Sequence, residues 1–376
     1  MLPGPSDSAA SLADVLRDSL AAVSGAPTRL ALSGVDRAAV LLVDGLGADN
    51  LRARAGHART LADAMRTRAD VIATGTPTTT AAALATLTTG VGPGSHGIVG
   101  YTALVPETGL VVNQLRGWDE GLLPPDWQRA PTLFETARAQ GLEAIAFGAE
   151  RYRDSGFTGA VLRGARYVPG RTIEQRLEAL GDALADRSWR GIAYAYVAEL
   201  DMAAHEHGWE SDAWVHALER VDAAVAGVVA GLGPRAGLLV TADHGVLDVA
   251  ERGRVVIADA SPLWDGVAAL AGEHRLLHLH AAPGADPVAL AARWHETVGG
   301  EAWVAPRQNA IDAGWFGPVD PAVAGRIGDV LVAARKSVAY YTEEAFAGRA
   351  GRMVGQHGSW TEAETRVPLL RFGAYA

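Results

Sequence analysis

Three aspartates follow apolar stretches of the sequence close to the point where each stretch ends. Asp44 comes after AAVLLV, Asp201 shortly after GIAYAYV, and Asp243 after AGLLVTA. A single aspartate in such a place is commonly a cap or turn residue. The carboxyl ends of parallel strands form one edge of a sheet, where ligands bind in open α/β folds. We therefore expect the three carboxylates to form a cluster at that edge.

Three histidines accompany these carboxylates. His205 follows Asp201 by four residues, one helical turn, so the two side chains share a helix face. His244 is adjacent to Asp243, and Gly245 lets the chain turn tightly after them. His357 lies in a predicted loop. Together with Asp44, the set offers three carboxylate and three imidazole ligands.

Carboxylates and imidazoles are zinc ligands, and a catalytic zinc site leaves one position open. Six such side chains are enough for two ions with about three protein ligands each. The chain has no cysteine, which excludes thiolate sites, disulfides and thiol catalysis. The set therefore suits two divalent ions, for which zinc is a fitting metal. Their residual positive charge would favour an anionic substrate.

A run of threonines opens a second chemically suggestive stretch. Thr78, Thr79 and Thr80 follow a Gly-Thr-Pro turn and lead into an alanine- and leucine-rich segment that closes at Gly90. The pattern predicts strand, turn and helix, with Thr78 or Thr79 as the cap. A helix N-terminus suits a bound anion. On these residues alone, an ordinary capped helix is the alternative.

Alternating apolar strands and amphipathic segments must position these groups. They predict an α/β fold with a mainly parallel central sheet and helices on both faces. We expect an N-terminal extension over residues 1–35 and a catalytic core over 36–245 and 355–376. Residues 246–354, where the pattern becomes irregular, are predicted to be an inserted cap. The individual predictions are helices at 10–23, 48–66, 131–140, 172–186, 211–231 and 287–296, and strands at 38–44, 71–72, 143–148, 191–197, 236–245, 254–257, 275–280, 329–332 and 367–372.

Composition excludes several classes of function. The 376 residues include 33 basic and 43 acidic side chains, a formal charge of −10, without a dense basic run, which argues against binding a nucleic-acid polymer. No segment approaches the roughly 18 apolar residues of a membrane span. The first 25 residues lack the pattern of a signal peptide, so a cytoplasmic location is expected, with export left open.

The motifs, in their order along the chain, resemble those of the nucleotide pyrophosphatase/phosphodiesterase family of the alkaline phosphatase superfamily. The resemblance extends from about Ala38 to Phe372 and rests on several short motifs taken together. They are Asp44-Gly45, Pro77-Thr78-Thr79-Thr80, Thr89-Gly90, His96-Gly97-Ile98-Val99-Gly100, Asp201 with His205, Ala242-Asp243-His244-Gly245 and Gly355-Gln356-His357-Gly358.

The resemblance implies a metal-dependent hydrolase with two zinc ions that cleaves phosphodiester or pyrophosphate bonds in a small molecule or nucleotide. It places the nucleophile at Thr80, with Thr78 or Thr79 as lesser possibilities, and implies a phosphothreonine intermediate. One zinc would be held by Asp201, His205 and His357. The other would be held by Asp44, Asp243 and His244, with Thr80 beside it.

Two departures concern the substrate. The family usually has an asparagine at or next to the position of Tyr101, and we expect this phenol to contact the substrate instead. The family's Phe-Pro-Asn after the nucleophile is replaced by Ala81, Ala82 and Ala83. The preference for diester over monoester is therefore open at this point.

Alternative functions on the same scaffold are a phosphomonoesterase or a phosphonate or sulfate ester hydrolase. A resemblance to cofactor-independent phosphoglycerate mutases is weaker, because that family normally uses serine and manganese. A catalytically silent protein that binds a nucleotide or metal is the alternative from another class. The complete set of presumed ligands argues against it. The sequence leaves the oligomeric state open.

Other polar and aromatic residues receive simpler interpretations. His96 is predicted to brace its loop through hydrogen bonds, and His207 to be solvated. His278 and His280 are expected on a strand surface of the cap. Arg116, Arg151 and Arg153 are candidates for phosphate contact, and the tryptophans at 118, 127, 209 and 214 are expected mainly to pack.

Overall fold

The computed structural model describes residues 1–5, 10–67 and 71–376. Within this part of the chain there are fifteen α-helices and eighteen strands. The helices are α1 (Leu12–Ser24), α2 (Ala48–Ala53), α3 (Arg59–Thr67), α4 (Thr80–Thr89), α5 (Pro93–His96), α6 (Leu133–Ala139), α7 (Gly156–Val161), α8 (Ile173–Ala185), α9 (Glu199–His207), α10 (Asp212–Ala230), α11 (Pro287–Val298), α12 (Arg307–Asp312), α13 (Pro321–Ala324), α14 (Glu343–Ala347) and α15 (Glu362–Thr365). The strands are β1 (Arg37–Val43), β2 (Val71–Ala73), β3 (Thr102–Val105), β4 (Leu110–Asn113), β5 (Glu143–Ala149), β6 (Arg166–Gly170), β7 (Gly191–Val197), β8 (Ala236–Thr241), β9 (Leu247–Asp248), β10 (Arg254–Ile257), β11 (Val267–Glu273), β12 (Leu276–Ala281), β13 (Ala302–Pro306), β14 (Val330–Ala334), β15 (Ala339–Thr342), β16 (Gly355–Gln356), β17 (Arg366–Pro368) and β18 (Leu370–Gly373).

The central sheet has six strands in the order β18-β8-β1-β7-β5-β6. Strands β8, β1, β7, β5 and β6 run parallel, and β18 joins the edge in the antiparallel direction. Every residue of β1 is buried, as an unbroken apolar strand covered on both faces requires. The predicted α/β fold with a mainly parallel sheet is confirmed.

A second six-stranded sheet has the order β13-β14-β12-β11-β3-β4. Its recorded pairs are all antiparallel, and α11 packs against β13 and β14 over a separate apolar cluster that includes Trp294. Strands β3 and β4 come from residues 102–113, whereas the other four come from residues 267–334. The division of the chain into an N-terminal extension, core and cap remains a prediction.

Helix α1 forms within the segment predicted as the N-terminal extension. Its buried residues include Leu12, Val15 and Leu16, and it packs against α4 and β1. Helix α4 is almost wholly buried, since alanines and short polar residues allow its neighbours to approach closely. This packing fixes the helix whose N-terminus carries the threonine run.

Two predicted elements are divided in the structure. The predicted helix over 48–66 is interrupted between α2 and α3, where a short 3₁₀ turn contains Gly56, a poor helix former. The predicted strand over 367–372 changes partner at Leu369. Strand β17 pairs with β2, whereas β18 pairs with β8. Pro368 cannot donate a backbone hydrogen bond, which favours the end of a ladder at this point.

None of the helices in the described part of the chain combines the length and the apolar character that a membrane crossing requires.

Candidate active site

The three predicted aspartates meet at the carboxyl edge of the central sheet. Strand β1 lies between β7 and β8, with Val43 opposite Val197 and Leu42 opposite Thr241, so the three strands end nearly level. Asp44 follows β1 directly, Asp201 lies in the first turns of α9 after β7, and Asp243 is the second residue after β8. All three carboxylates are buried.

The first group of potential metal ligands consists of Asp44, Asp243 and His244. Their ligand atoms all lie within 4.8 Å of one another. His244 Nε2 is 3.4 Å from Asp44 Oδ1 and 3.4 Å from Asp243 Oδ2. This is the set of residues that the sequence motifs associated with one ion.

The second group surrounds Asp201. His205 Nε2 lies 3.0 Å from Asp201 Oδ2 and 3.3 Å from His357 Nε2. His357 Nε2 is 3.9 Å from Asp201 Oδ1. Ligand atoms of Asp201, His357 and His244 also lie within 4.8 Å of one another, so His244 stands between the two groups.

Hydrogen bonds from the surrounding backbone orient these ligands. His205 Nδ1 is 2.8 Å from the carbonyl oxygen of Gly355, and His357 Nδ1 is 2.7 Å from that of Thr78. A proton on each Nδ1 leaves Nε2 free as a ligand atom. The amides of Gly45 and His244 donate to Asp243 Oδ1.

The buried carboxylates fit a cation. Asp44 Oδ1, Asp201 Oδ1 and Asp243 Oδ2 have no hydrogen-bond partner among the described residues, and buried polar atoms in that condition are uncommon. Burial raises the pKa of Asp44 well above its usual value, with Asp243 and Asp201 adding to the shift. Burial also lowers the pKa of His244 to about 4. A bound cation would neutralise the carboxylates and use the neutral imidazole as a ligand.

Thr80 is the first residue of α4 and faces the first ligand group. Its Oγ1 lies 3.5 Å from Asp44 Oδ2 and 3.4 Å from His244 Nε2. Thr79 occupies the N-cap position but makes no side-chain capping hydrogen bond, contrary to the simple capping interpretation. The hydroxyl of Thr78 instead donates to the carbonyl of Ser359 and accepts from the amide of Gly358. Thr78 therefore joins the helix to the His357 loop.

A cleft of about 840 Å³ opens over this cluster. Thr80, Asp44, Asp201, His205 and His357 line it. Tyr101 also lines the cleft and is 42% exposed, a position from which its phenol can meet a ligand. The predicted candidates for site residues thus face one cavity or lie directly beneath it.

Some predicted phosphate contacts lie elsewhere. Arg116 lines the cleft, whereas Arg153 is not among the lining residues and pairs with Glu150. Arg151 donates to the hydroxyl of Tyr152 and to the sulfur of Met202. Of these three arginines, the structure brings Arg116 alone into the cleft lining.

The predictions for the other histidines have mixed outcomes. His96 does brace its loop, since Nδ1 accepts from the Ile98 amide and Nε2 lies 3.0 Å from Thr86 Oγ1. The surface interpretation of His278 and His280 is wrong. Both are buried because β12 is an interior strand between β11 and β14, and Phe316 packs edge-on against His278.

The tryptophans serve packing, as expected. Trp127 and Trp214 are buried in the main core, and Trp118 and Trp209 pack against it. None of these four is among the residues that line the cleft.

Sequence reasoning missed two polar residues of the site. The Tyr196 hydroxyl donates a short hydrogen bond to Asp44 Oδ2. Glu273, at the end of β11, has a side chain that is 9% exposed, lines the cleft and has Oε2 3.8 Å from His357 Nδ1. Burial raises the pKa of Glu273 well above its usual value. An acidic residue after the apolar run VAALAG was the available signal, but the run was not recognised as a strand.

The cluster of carboxylates, imidazoles and one threonine hydroxyl can be compared with known proteins. A sequence model of the type I phosphodiesterase/nucleotide pyrophosphatase family matches residues 38–360. The chain belongs to this family. The family is part of the alkaline phosphatase superfamily and consists of hydrolases that act on phosphoester bonds. No curated protein sequence gives a significant match to the chain.

Several solved structures are similar in fold to this chain over most of its length and of their own. Phosphonoacetate hydrolase from Sinorhizobium meliloti 1021, in complex with phosphonoacetate, is 19% identical with a TM-score of 0.70, over 90% of this chain and 91% of that one. Murine ectonucleotide pyrophosphatase/phosphodiesterase 5 is 16% identical with a TM-score of 0.66, over 89% and 88%. An inactive threonine-to-alanine variant of the murine protein, in complex with AMP, is 15% identical with a TM-score of 0.65, over 90% and 88%. At these identities the likeness establishes the fold.

Proposed function

We propose that this protein is a two-zinc hydrolase that cleaves phosphodiester or pyrophosphate bonds through a phosphothreonine intermediate at Thr80. The observation that carries the proposal is the position of the Thr80 hydroxyl. It lies at the N-terminus of α4, within 3.5 Å of Asp44 and His244, on the wall of the cleft. A nucleophile is expected beside the group that activates it.

The residues would hold two ions in the arrangement that the family motifs imply. Asp44, Asp243 and His244 would bind one, and Asp201, His205 and His357 the other, with the unpartnered carboxylate oxygens as ligand atoms. When bound, zinc lowers the pKa of a hydroxyl or water and neutralises charge on phosphoryl oxygens.

In the first step, the Thr80 hydroxyl gives its proton to solvent water and Oγ1 attacks phosphorus in line with the leaving oxygen. The new bond joins Oγ1 to phosphorus, and the bond to the leaving oxygen breaks. Since no side chain caps α4, the amides of its first turn are available to the phosphoryl oxygens. Water then attacks phosphorus in line with Oγ1, from the side that the first leaving oxygen vacated. The bond between Oγ1 and phosphorus breaks, the phosphate product leaves, and a proton from the water restores the threonine hydroxyl.

Hydrolysis of bis(p-nitrophenyl) phosphate and of p-nitrophenyl phosphate, with zinc present, tests this function. The wild type should turn over the diester faster, and Thr80→Ala should reduce the rate by a factor on the order of 10⁴. Thr80→Ser, which keeps a hydroxyl, is the matched control and should retain part of the activity. Mass spectrometry after rapid acid quench should find a phosphoryl group on the peptide that contains Thr80.

The same assay distinguishes the alternatives. Diester hydrolysis that survives Thr80→Ala would exclude the threonine mechanism. Faster turnover of the monoester would indicate a phosphomonoesterase, and no turnover with any divalent metal would favour a silent binding protein. Phosphonate hydrolysis is the second candidate, because one protein of the same fold is a phosphonoacetate hydrolase. Release of phosphate from phosphonoacetate in place of diester cleavage would establish it.

A further inference from the structure

Three arginines extend into the lining of the cleft. Arg116 follows β4, and Arg349 and Arg352 lie in the short segment between α14 and β16. Glu206, Glu273 and His274 also line the cleft, together with the carboxylates and imidazoles already assigned to the reaction. These three guanidinium groups have no part in the proposed chemistry.

The cleft arginines, as we call Arg116, Arg349 and Arg352, have no carboxylate partner among the described residues. Many arginines elsewhere on the surface are paired. Arg153 and Arg171 both contact Glu150, and Arg220 forms two hydrogen bonds with Glu174. A single unpaired surface arginine is ordinary. Three such arginines in the lining of one cavity place several unpaired guanidinium groups around it.

The segment that carries two of these arginines is fixed on both sides. Arg254 Nη1 donates to the carbonyl of Gly351 at 2.8 Å, and the Val354 amide donates to the carbonyl of His205 at 2.9 Å. Gly351 packs closely against the backbone of Phe346, where a β-carbon would lie 2.0 Å from its carbonyl oxygen. The segment that carries Arg349 and Arg352 is therefore anchored at Gly351 and at Val354.

We propose that the natural substrate has a second oxyanion, separate from the phosphoryl group under attack, which Arg349 and Arg352 bind with Arg116 as a third cation in the cleft. This inference rests on the proposed function. The planar guanidinium group matches a carboxylate or a phosphate through two parallel hydrogen bonds. A diester with two uncharged arms has nothing to place there. The substrate class is thus a phosphoryl compound that also carries a carboxylate or a further phosphate.

Binding of unreactive phosphonates to the zinc-loaded protein tests the inference independently of turnover. The probes form two pairs that differ in one carboxylate, propylphosphonate with phosphonopropionate and phenylphosphonate with p-phosphonobenzoate. Calorimetry should show about tenfold tighter binding of the carboxylate-bearing member of at least one pair. p-Phenylenebisphosphonate carries a second phosphonate in place of the carboxylate of p-phosphonobenzoate. Whichever of these two compounds gains more affinity over phenylphosphonate carries the oxyanion that the arginines prefer.

The double variant Arg349→Ala/Arg352→Ala should lose this advantage and keep the affinity for the members that lack the carboxylate. The matched control, Arg153→Ala/Arg171→Ala, removes the same charge outside the cleft and should keep the advantage. Equal binding within both pairs, or an advantage that persists in the cleft double variant, would overturn the inference. Failure of every phosphonate to bind to a protein that hydrolyses bis(p-nitrophenyl) phosphate would overturn the inference alone, whereas absence of that hydrolysis would overturn the proposed function. Zinc content measured before and after titration verifies that the probes do not extract the metal.

Discussion

The imidazole rings of His244 and His357 stack face to face, with their centroids 3.6 Å apart and 13° between their planes. The two rings belong to different candidate ligand groups, so the two groups are in direct contact with each other. His357 is fixed in turn by its hydrogen bond to Thr78, two residues before the proposed nucleophile. The position of each candidate metal therefore depends on the same small set of packed side chains.

The ligand assignment predicts the metal content of single variants. Asp243→Ala and His357→Ala should each reduce bound zinc from about two ions per chain to about one, because each removes one of roughly three protein ligands from one site. Elemental analysis after dialysis against buffered zinc measures the content. His207→Ala is the control, since His207 is about half exposed and makes contact with Glu206. Two bound zinc ions and full activity in both ligand variants would refute the assignment.

The hydrogen bond from Tyr196 to Asp44 should support metal binding. Tyr196→Phe removes the donor that orients this carboxylate, and we expect zinc affinity to fall about tenfold. Competition with a chromophoric chelator measures the affinity. Tyr194→Phe is a matched control on the same strand, because the Tyr194 hydroxyl is buried without a hydrogen-bond partner among the described residues. Equal losses in the two variants would show that the Tyr196 hydroxyl has no specific role.

Burial of neutral His96 should make stability depend on pH. Burial lowers the pKa of His96 from 6.5 to about 3. Between these values the unfolded chain binds the proton and the folded chain does not, so stability falls as pH decreases from 6.5 toward 3. His96→Gln should reduce the slope by up to about 1.4 kcal/mol per pH unit. Urea unfolding between pH 6.5 and 4.5, at one fixed zinc concentration, measures both proteins. If the unfolding free energy of the wild type and of His96→Gln depended on pH in the same way, the prediction of a neutral buried His96 would be contradicted.

A buried ion pair stabilises the segment behind the His357 loop. Arg275 and Glu364 are both fully buried and joined by two hydrogen bonds of 2.7 Å. Arg275→Met leaves the carboxylate without its cation and should cost about 3 to 5 kcal/mol of unfolding free energy. The exposed pair of Arg220 with Glu174 gives the control, since Arg220→Met should cost less than about 1 kcal/mol. Chemical denaturation measures the free energy of unfolding of both variants. Similar losses in the two would contradict the prediction that the buried pair matters more than the exposed one.

The central sheet and the ligand cluster were predictable because local patterns determine them. An unbroken apolar strand followed by aspartate identifies β1 and β8, and parallel neighbours then place Asp44 and Asp243 at one edge. Helical spacing brings Asp201 and His205 together. The prediction that His357 joins this cluster came from its family motif, because no local sequence pattern connects it with α9.

The second sheet was less predictable, because its strands are short and their pairings are distant in sequence. β11 contains alanine and glycine in place of branched residues, so it lacks a strong strand pattern and Glu273 went unnoticed. His278 and His280 alternate as on a half-exposed strand. Their burial depends on neighbours such as Phe316, which the alternation does not reveal. Arg349 and Arg352 lie in an irregular segment whose position depends on tertiary contacts.

The hydrogen bond between His357 and Thr78 joins residues that are 279 positions apart. Asp44 and Thr80 leave the ribosome early, whereas His357 emerges after the second sheet has been synthesised. A growing chain therefore presents an incomplete set of the proposed metal ligands throughout most of its synthesis. Domains form as units during translation, and the gain from a distant contact comes only after a long loop has closed. If the proposed function holds, catalytic competence should consequently appear abruptly, near the end of translation, and the proposed metal loading should be a late event in the maturation of the protein.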